Sequence, residues 1–209
     1  MLLFGHTGIT TGIFKACDIL SSINRSLNSY QPDSSSGSGI TAPKKPLPLC
    51  RRLNGIRHQL GSIDYRLVLL GSLLPDILDK PWWLFATSDI FPSGRDYAHT
   101  FLFNLLLFIG GLILIKYKKS WLLISSLSSI IHLVLDQMWA RPVILWWPLL
   151  GPFQRVETTG WTSNILHALT SDPGTYIPEI IGLIILLLMG YRLIVRENIG
   201  SFIRTGAMG

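Results

Sequence analysis

Three long apolar runs constrain the fold of this chain more than any other feature of its sequence. They cover residues 101–115, 121–139 and 177–195. A helix needs about 20 apolar residues to cross a hydrocarbon core of about 30 Å, and the second and third runs approach that length. The first run is short, so it would borrow flanking residues or lie in a thinned part of the bilayer. The pattern predicts helices that cross a membrane.

The composition supports a membrane protein and excludes a typical nucleic-acid-binding domain. Of the 209 residues, 48% are hydrophobic and 14% are charged, and the mean hydropathy is +0.41. Such a chain has too few charged residues for an ordinary soluble surface. The net charge of +6 comes from basic residues that flank the apolar runs, whereas a nucleic-acid-binding protein clusters them on one soluble face. We therefore predict no nucleic-acid partner.

Two further segments complete a predicted bundle of about five transmembrane helices. Residues 63–78 are mostly apolar, and residues 5–23 are rich in Thr and Gly, which suits a helix packed against other helices. Residues 26–48 are rich in Ser, Gly and Pro and have no apolar period, which predicts a flexible inserted connector. The predicted fold is all-α, a polytopic membrane helix bundle in which residues 1–209 form a single membrane-embedded domain.

The positions of Lys and Arg predict the orientation of this bundle. If the N-terminus lies outside and five helices alternate, fourteen of the 18 basic residues fall inside, and only Lys80, Arg95, Arg141 and Arg155 fall outside. This bias predicts a multi-pass protein of the plasma (inner) membrane with a cytoplasmic C-terminus. Acidic residues accumulate near the outer face, which the positive-inside rule does not explain. A cation site at that face would explain them.

His132 and Asp136 share one face of a predicted helix, because residues four apart lie about one turn from each other. Ionisable residues at membrane depth are costly and mark functional sites by default. The predicted topology brings His6, Asp76 and His99, from three other segments, to the same outer face. The sequence therefore predicts a metal site formed by His6, Asp76, His99, His132 and Asp136.

The residue types of this group favour zinc, as one or two ions, although another divalent metal stays open. Imidazole nitrogen and carboxylate oxygen suit such metals, and no Cys lies nearby to form a thiolate site. A catalytic zinc site keeps one position for water, whose pKa falls to about 7. Arg95 is the candidate for binding an anionic substrate, since its planar fork matches a phosphate. No organic cofactor is predicted.

Plainer roles stay open for several of these residues. His132 and Asp136 could form an ordinary pair on a helix surface, and Asp79 could cap or solvate the end of its helix. His167 and Asp172 remain alternatives as further ligands. The outer Trp residues are better explained as an interfacial aromatic belt than as a substrate box. These are Trp82, Trp83, Trp146, Trp147 and Trp161.

Five short motifs, in their order and spacing, resemble the YdjM-type inner-membrane metal-dependent hydrolases. The motifs are GHTGITTG (5–12), GSLLPDILDKP (71–81), GRDYAHTFLF (94–103), HLVLDQMW (132–139) and WWPLLGPF (146–153). That family is distantly similar to zinc-dependent phospholipase C and to single-strand nucleases of the P1 type, which cleave phosphoesters. By this resemblance, His6, Asp76, His99, His132 and Asp136 match ligand positions. The soluble enzymes carry further His and Asp ligands, whereas here His167 is followed four residues on by Ser171, with Asp172 shifted by one. Many relatives also carry a His where Gly94 stands, so the resemblance implies one or two metals here rather than three.

The residues and the resemblance together predict a membrane-bound metal-dependent hydrolase. Its substrate would be the phosphoester of a lipid or lipid-linked molecule at the outer membrane face, with Arg95 and Asp79 orienting substrate or water. The alternative is a non-catalytic, metal-stabilised membrane subunit or assembly factor that binds partner membrane subunits. Metal transport ranks third, because the inner halves of the predicted helices carry few ligand-type residues.

Overall fold

The computed structural model of this protein describes residues 3–29, 63–85, 92–155, 161–196 and 199–208, and these residues form helices, turns and loops without a strand. This confirms the all-α prediction. Short 3₁₀ turns cover Tyr97–His99 and Met138–Ala140. The α-helices of the described residues are α1 (Leu3–Ser29), α2 (Tyr65–Phe85), α3 (Phe101–Ile115), α4 (Trp121–Leu135), α5 (Pro142–Leu145), α6 (Trp161–Ser171), α7 (Pro173–Val195) and α8 (Ile199–Thr205).

Three helix boundaries differ from the sequence prediction. Helix α1 continues to Ser29, so it takes the first residues of the predicted connector at 26–48, and the rest of that connector lies outside the described residues. Helix α2 continues through Pro81 to Phe85, which puts Asp79 inside the helix rather than at its end. Helix α4 stops at Leu135, because Gln137 adopts a left-handed backbone with φ 52°. Asp136 is therefore the residue that ends α4.

One helix of the described residues, α7, is long and apolar enough to cross a membrane. It has 23 residues, and its most apolar window has a mean hydropathy of 2.0. Helices α3 and α4 are apolar but have 15 residues each, a length of about 22 Å at 1.5 Å per residue. The expectation of about five transmembrane helices is thus met by length and composition for α7 and stays a prediction for the others, as does the single membrane-embedded domain.

Helix α4 lies at the centre of the bundle. It packs against α2 and α3 and has a smaller contact with α1, which in turn packs against α7 and α2. A hydrophobic core fills one end of the bundle and includes Phe14, Tyr65, Val68 and Ile124. The C-terminal segment closes that end, because the Tyr65 N–H donates to the carbonyl of Gly206 at 2.9 Å.

Polar contacts join the helices at the opposite end of the bundle. The N-terminus of α1 meets the N-terminal part of α7, where the Phe4 N–H donates to Glu179 Oε2 at 2.9 Å. The same part of α1 meets the C-terminal end of α4, since His6 contacts Asp136. Helices α1 and α7 therefore run parallel, whereas α1 and α4 run antiparallel. This agrees with the predicted topology, in which helices that follow one another in the sequence alternate in direction. The bundle has an apolar end and an end lined with His, Asp and Glu.

Small residues allow the helices to approach closely. A Cβ on Gly8 would overlap the Gly182 carbonyl, and a Cβ on Gly182 would overlap the carbonyl of Phe4. A Cβ on Gly111 would lie 2.8 Å from the Cα of Leu123. Such contacts are typical of helices that associate in membranes, where close packing replaces the hydrophobic effect.

Replacing Gly8 by Ala is expected to destabilise the bundle, because the added methyl group has no space beside Gly182. Overpacking of this kind costs about 1–3 kcal/mol in free energy of unfolding. Gly190→Ala is the control, since nothing lies within 4 Å of a Cβ at that position. The melting temperature of the detergent-purified variants measures the difference. Equal melting temperatures would contradict the close α1–α7 contact.

Candidate metal site

The structure brings the five predicted metal ligands together at the polar end of the bundle. His6, His99 and His132 are fully buried, and the side chains of Asp76 and Asp136 are 12% and 2% exposed. Helix α1 supplies His6, α2 supplies Asp76, the turn before α3 supplies His99, and α4 ends with His132 and Asp136. Four segments that are distant in sequence therefore form one cluster.

The distances within this cluster suit shared coordination of a small cation. His99 Nε2 lies 3.5 Å and His132 Nε2 lies 3.8 Å from Asp76 Oδ1, and His6 Nε2 lies 3.2 Å from Asp136 Oδ1. Two ligand atoms that are each about 2.1 Å from an ion, at the tetrahedral angle, are about 3.4 Å apart. The observed separations scatter around that value.

Two groups of three residues meet the distance requirement for a metal among the described residues. One consists of His6, Asp76 and His132, and the other of His99, His132 and Asp136, with the ligand atoms of each group within 4.8 Å of one another. His132 belongs to both groups. The two groups therefore overlap and form one compact site.

Hydrogen bonds fix the tautomers of two histidines so that their free nitrogens face each other. His132 Nδ1 lies 2.6 Å from the Ser72 carbonyl, and His99 Nδ1 lies 2.7 Å from Asp79 Oδ2. Both partners only accept hydrogen bonds, so each Nδ1 carries the hydrogen, and each neutral ring then has a lone pair on Nε2. The two Nε2 atoms are 3.4 Å apart. Two lone pairs at this distance repel unless a metal ion or a proton lies between them.

Buried atoms without hydrogen bonds also fit a cation. Three buried atoms have no hydrogen-bond partner among the described residues: the two ring nitrogens of His6, and Asp76 Oδ1. His6 Nε2 does approach Asp136 Oδ1 to 3.2 Å, but as an ion-pair contact with poor hydrogen-bond angles. An unsatisfied buried polar group costs about 1–3 kcal/mol, which coordination to a metal would offset. The donor set and its unused atoms therefore fit a divalent metal.

Asp79 lies behind His99 rather than beside a substrate position. It is 1% exposed and accepts hydrogen bonds from the Asp96 N–H at 2.8 Å and the Ala98 N–H at 3.1 Å, in addition to its contact with His99. A carboxylate in this place orients a metal-binding imidazole and raises its basicity. The geometry thus favours a positioning role for Asp79 over capping its helix or contacting substrate or water.

Two basic side chains hold the carboxylates of the cluster. Arg95 Nε donates to Asp136 Oδ2 at 2.6 Å, and Lys80 Nζ donates to Asp76 Oδ2 at 2.6 Å. In each Asp, the second carboxylate oxygen, Oδ1, therefore faces the histidines. The sequence analysis did not assign Lys80 a role at the site, although its spacing of four residues from Asp76 was a readable signal.

Asp96 shapes the turn that carries Arg95 and His99, and the sequence analysis missed it. It accepts hydrogen bonds from Ser93 Oγ at 2.8 Å and from the Gly94 N–H at 3.1 Å. Burial raises the pKa of Asp96 above its usual range, and the hydrogen bonds from Ser93 oppose that rise only in part. Gly94 has φ 70°, and a Cβ there would lie 2.9 Å from the Trp83 ring. This turn has no space for a side chain larger than hydrogen at position 94.

The surroundings of His99 make its metal binding sensitive to pH. Burial alone lowers the pKa of His99, but the carboxylates of Asp76 and Asp79 beside its ring outweigh burial and raise the pKa above the usual value for histidine. A proton and a metal compete for the same Nε2 lone pair. Metal affinity should therefore be low at a pH below the pKa of His99, where His99 is protonated. It should rise as the pH increases through that pKa.

The two alternative ligands have no place in the cluster. His167 is exposed on α6 and belongs to neither metal group. Asp172 is the N-cap of α7, where it accepts hydrogen bonds from the Gly174 N–H at 3.0 Å and from Thr175 Oγ1 at 2.7 Å. These hydrogen bonds, the one from Thr175 foremost, lower the pKa of Asp172. Asp172 stabilises a helix start.

Replacing His132 by Ala is expected to abolish metal binding, because His132 belongs to both metal groups. Inductively coupled plasma mass spectrometry on detergent-purified protein should find about one or two zinc ions per wild-type chain and almost none in the variant. His167→Ala is the matched control and should keep its zinc. Equal zinc content in His132→Ala and wild type, with both folded, would exclude this cluster as the metal site.

Replacing Asp79 by Asn is expected to weaken zinc binding about 10- to 100-fold, because the outer partner of His99 loses its charge. Competition with a zinc-binding dye measures the affinity. Asp172→Asn is the control, since Asn is also a good N-cap. An unchanged zinc affinity in Asp79→Asn would contradict the positioning role.

Comparison with known proteins identifies the family of the chain. The family model described as "YdjM inner membrane protein" matches residues 42–199. The match includes Asp76, His99, His132, Asp136 and all of α7, and it begins after His6, whereas the motif resemblance ran from residue 5 to about 153. No curated protein and no solved structure matches the chain, and the distant similarity to zinc-dependent phospholipase C stays a prediction. Since the match covers most of its length, the chain belongs to the YdjM inner membrane protein family.

Proposed function

We propose that this protein is a membrane-bound metal-dependent hydrolase that cleaves a phosphoester of a lipid or lipid-linked substrate at the outer membrane face. The observation that carries the proposal is the pair of imidazole Nε2 atoms of His99 and His132, which face each other at 3.4 Å beside Asp76. Such an arrangement costs free energy unless a cation is bound there. A metal ion bound between the two nitrogens would remove that cost.

Zinc is the proposed metal, as one or two ions. His6, Asp76, His99, His132 and Asp136 would hold it. A bound divalent metal would supply Lewis acidity for phosphoester hydrolysis. Asp79 and the Ser72 carbonyl keep His99 and His132 in the tautomer that presents Nε2. Lys80 and Arg95 keep the carboxylates oriented without blocking Oδ1.

Arg95 is the proposed substrate-binding residue. Its Nε is used by Asp136, whereas its terminal nitrogens make no hydrogen bond to a described residue, and its side chain is 27% exposed. In hydrolysis, the hydroxyl of water bonds to phosphorus, the bond from phosphorus to the alcohol oxygen breaks, and a proton goes to that oxygen. A guanidinium beside the phosphoryl oxygens would stabilise the charge that develops on them.

A multi-pass arrangement with the N-terminus outside is part of this proposal. The family name supports the inner membrane, and the large exposed side chains of α3 and α7 support contact with lipid. In this arrangement, the polar end of the bundle faces outward and the basic residues of α8 and the α3–α4 connection face the cytoplasm. A lipid substrate would then reach the site laterally.

The non-catalytic alternative rests on the burial of the cluster. All three histidines are fully buried and join α1, α2, α4 and the turn before α3, as a structural metal would. A structural site is closed, whereas a catalytic site keeps a position for water. In that case the protein would serve partner subunits, and Arg95 would have no role in turnover.

Replacing Arg95 by Ala distinguishes the two functions. The zinc-loaded protein in detergent is assayed with phosphatidic acid and with bis-p-nitrophenyl phosphate. For a hydrolase we expect Arg95→Ala to lower kcat/KM about 10- to 100-fold, because charge-assisted hydrogen bonds to phosphate contribute about 1.5–3 kcal/mol. Arg192→Ala, on the C-terminal half of α7, is the control. Stoichiometric zinc without phosphoester turnover in the wild type would favour the structural alternative.

A further inference from the structure

An apolar groove of about 300 Å³ lies between α3 and α4. Its walls include Phe101 and Leu105 of α3, Val134 of α4 and Trp139 of the turn after α4. These four side chains are between 37% and 60% exposed, so the groove opens at the surface of the bundle. Its volume is at the lower end of the range of about 300–1,000 Å³ that is usual for ligand pockets.

The lining of this groove suits a hydrocarbon chain and not water. Asn104 also lines it, but its Nδ2 donates to the carbonyls of Ala98 and Thr100, and its Oδ1 accepts from Ser129 Oγ at 2.6 Å. Its polar atoms are thus used within the protein. An ordered water needs two to four polar partners, which these walls do not offer.

The backbone of Arg141 is hydrogen-bonded to two residues that line the groove. Its N–H donates to the carbonyl of Met138 at 3.0 Å, and its own carbonyl accepts from the Leu145 N–H at 3.1 Å; both of these residues line the groove. The side chain of Arg141 is exposed and forms no ion pair with a carboxylate of the described residues. Burial of part of the guanidinium, and the nearby positive charge of Arg95, lower the pKa of Arg141. Arg141 and Arg95 both lie near Asp136, and one carboxylate does not neutralise two guanidinium groups, so they favour an additional anion.

We propose that the groove binds an acyl chain of a phosphate-bearing membrane lipid and that Arg141, together with Arg95, binds the phosphate of that lipid. The inference rests on the proposed function and gives its substrate class. His132 and Val134 are two residues apart on α4, so the metal cluster and the groove lie on different faces of this helix. The lipid would cross the end of α4 at Asp136, where the helix stops. The exposed Trp139 and Trp146 beside this path suit the membrane interface.

Photo-crosslinking in lipid nanodiscs tests the groove. The probe is phosphatidic acid with a diazirine in its acyl chain, added to the full-length protein, and labelled residues are mapped by mass spectrometry. We expect labelling of the groove to exceed labelling of the lipid-exposed helix α7, and Leu105→Trp to reduce it about tenfold by filling the groove. Leu106→Trp is the matched control, since Leu106 is 61% exposed on the same helix and does not line the groove. Equal labelling of α7, or no effect of Leu105→Trp, would overturn the acyl-chain site.

The phosphate is tested with a second probe that lacks it. Arg141→Ala should reduce labelling by phosphatidic acid about tenfold, as expected for the loss of a charge-assisted contact, and should not change labelling by a diacylglycerol probe. If both probes lose labelling, or neither does, Arg141 does not bind the phosphate. Turnover of phosphatidic acid is measured on the same samples. Groove labelling without turnover would support the lipid site and contradict the proposed hydrolase activity. Turnover without groove labelling would support the hydrolase activity and contradict the lipid site.

Discussion

The close approach of α2 to α4 is the constraint on which the rest of this structure depends. A Cβ at Gly71 would lie 2.7 Å from the Cα of Ser125, so only glycine allows the two helices to touch there. The contact brings His132 within 2.6 Å of the Ser72 carbonyl. That single hydrogen bond sets the tautomer of the histidine that belongs to both metal groups. A wider separation would leave His132 free to rotate and would lose the cluster.

The polar end of the bundle is held together in two layers. The inner layer is formed by side chains with atoms that face one another, as His99 and His132 do. The outer layer consists of Asp79, Lys80, Arg95 and the Ser72 carbonyl. Each of these groups contacts one nitrogen or oxygen of an inner side chain and leaves the other ligand atom of that side chain available for a metal. This division orients ligands before a metal binds, which is how proteins raise the affinity of metal sites. It also makes the site costly without a cation, because unsatisfied atoms of His6 and Asp76 are buried.

Much of the fold could be read from the sequence because helical signals are local. The apolar runs predicted α3, α4 and α7, and the alternation of their directions predicted that His6, Asp76, His99, His132 and Asp136 would meet. Boundaries were less accurate, since they depend on backbone angles: the left-handed Gln137 ends α4, and α2 passes through two prolines inside the bundle. Of the described helices, α7 alone is supported as a membrane crossing by length and composition, since α3 and α4 are short and α1 and α2 are less apolar. The other crossings stay a prediction.

By itself, then, the sequence determined that the chain is helical, that much of its surface is apolar, and that several His and Asp residues lie at the same end of the helix bundle. Spacing along a helix specifies the face on which a residue lies, and alternation specifies the end of the bundle. The partner of each side chain was decided by tertiary structure alone. Asp79 orients His99, Ser72 contributes only its backbone carbonyl, and Arg95 pairs with Asp136 across 41 positions. Such contacts depend on the distance between helices, which no local pattern encodes.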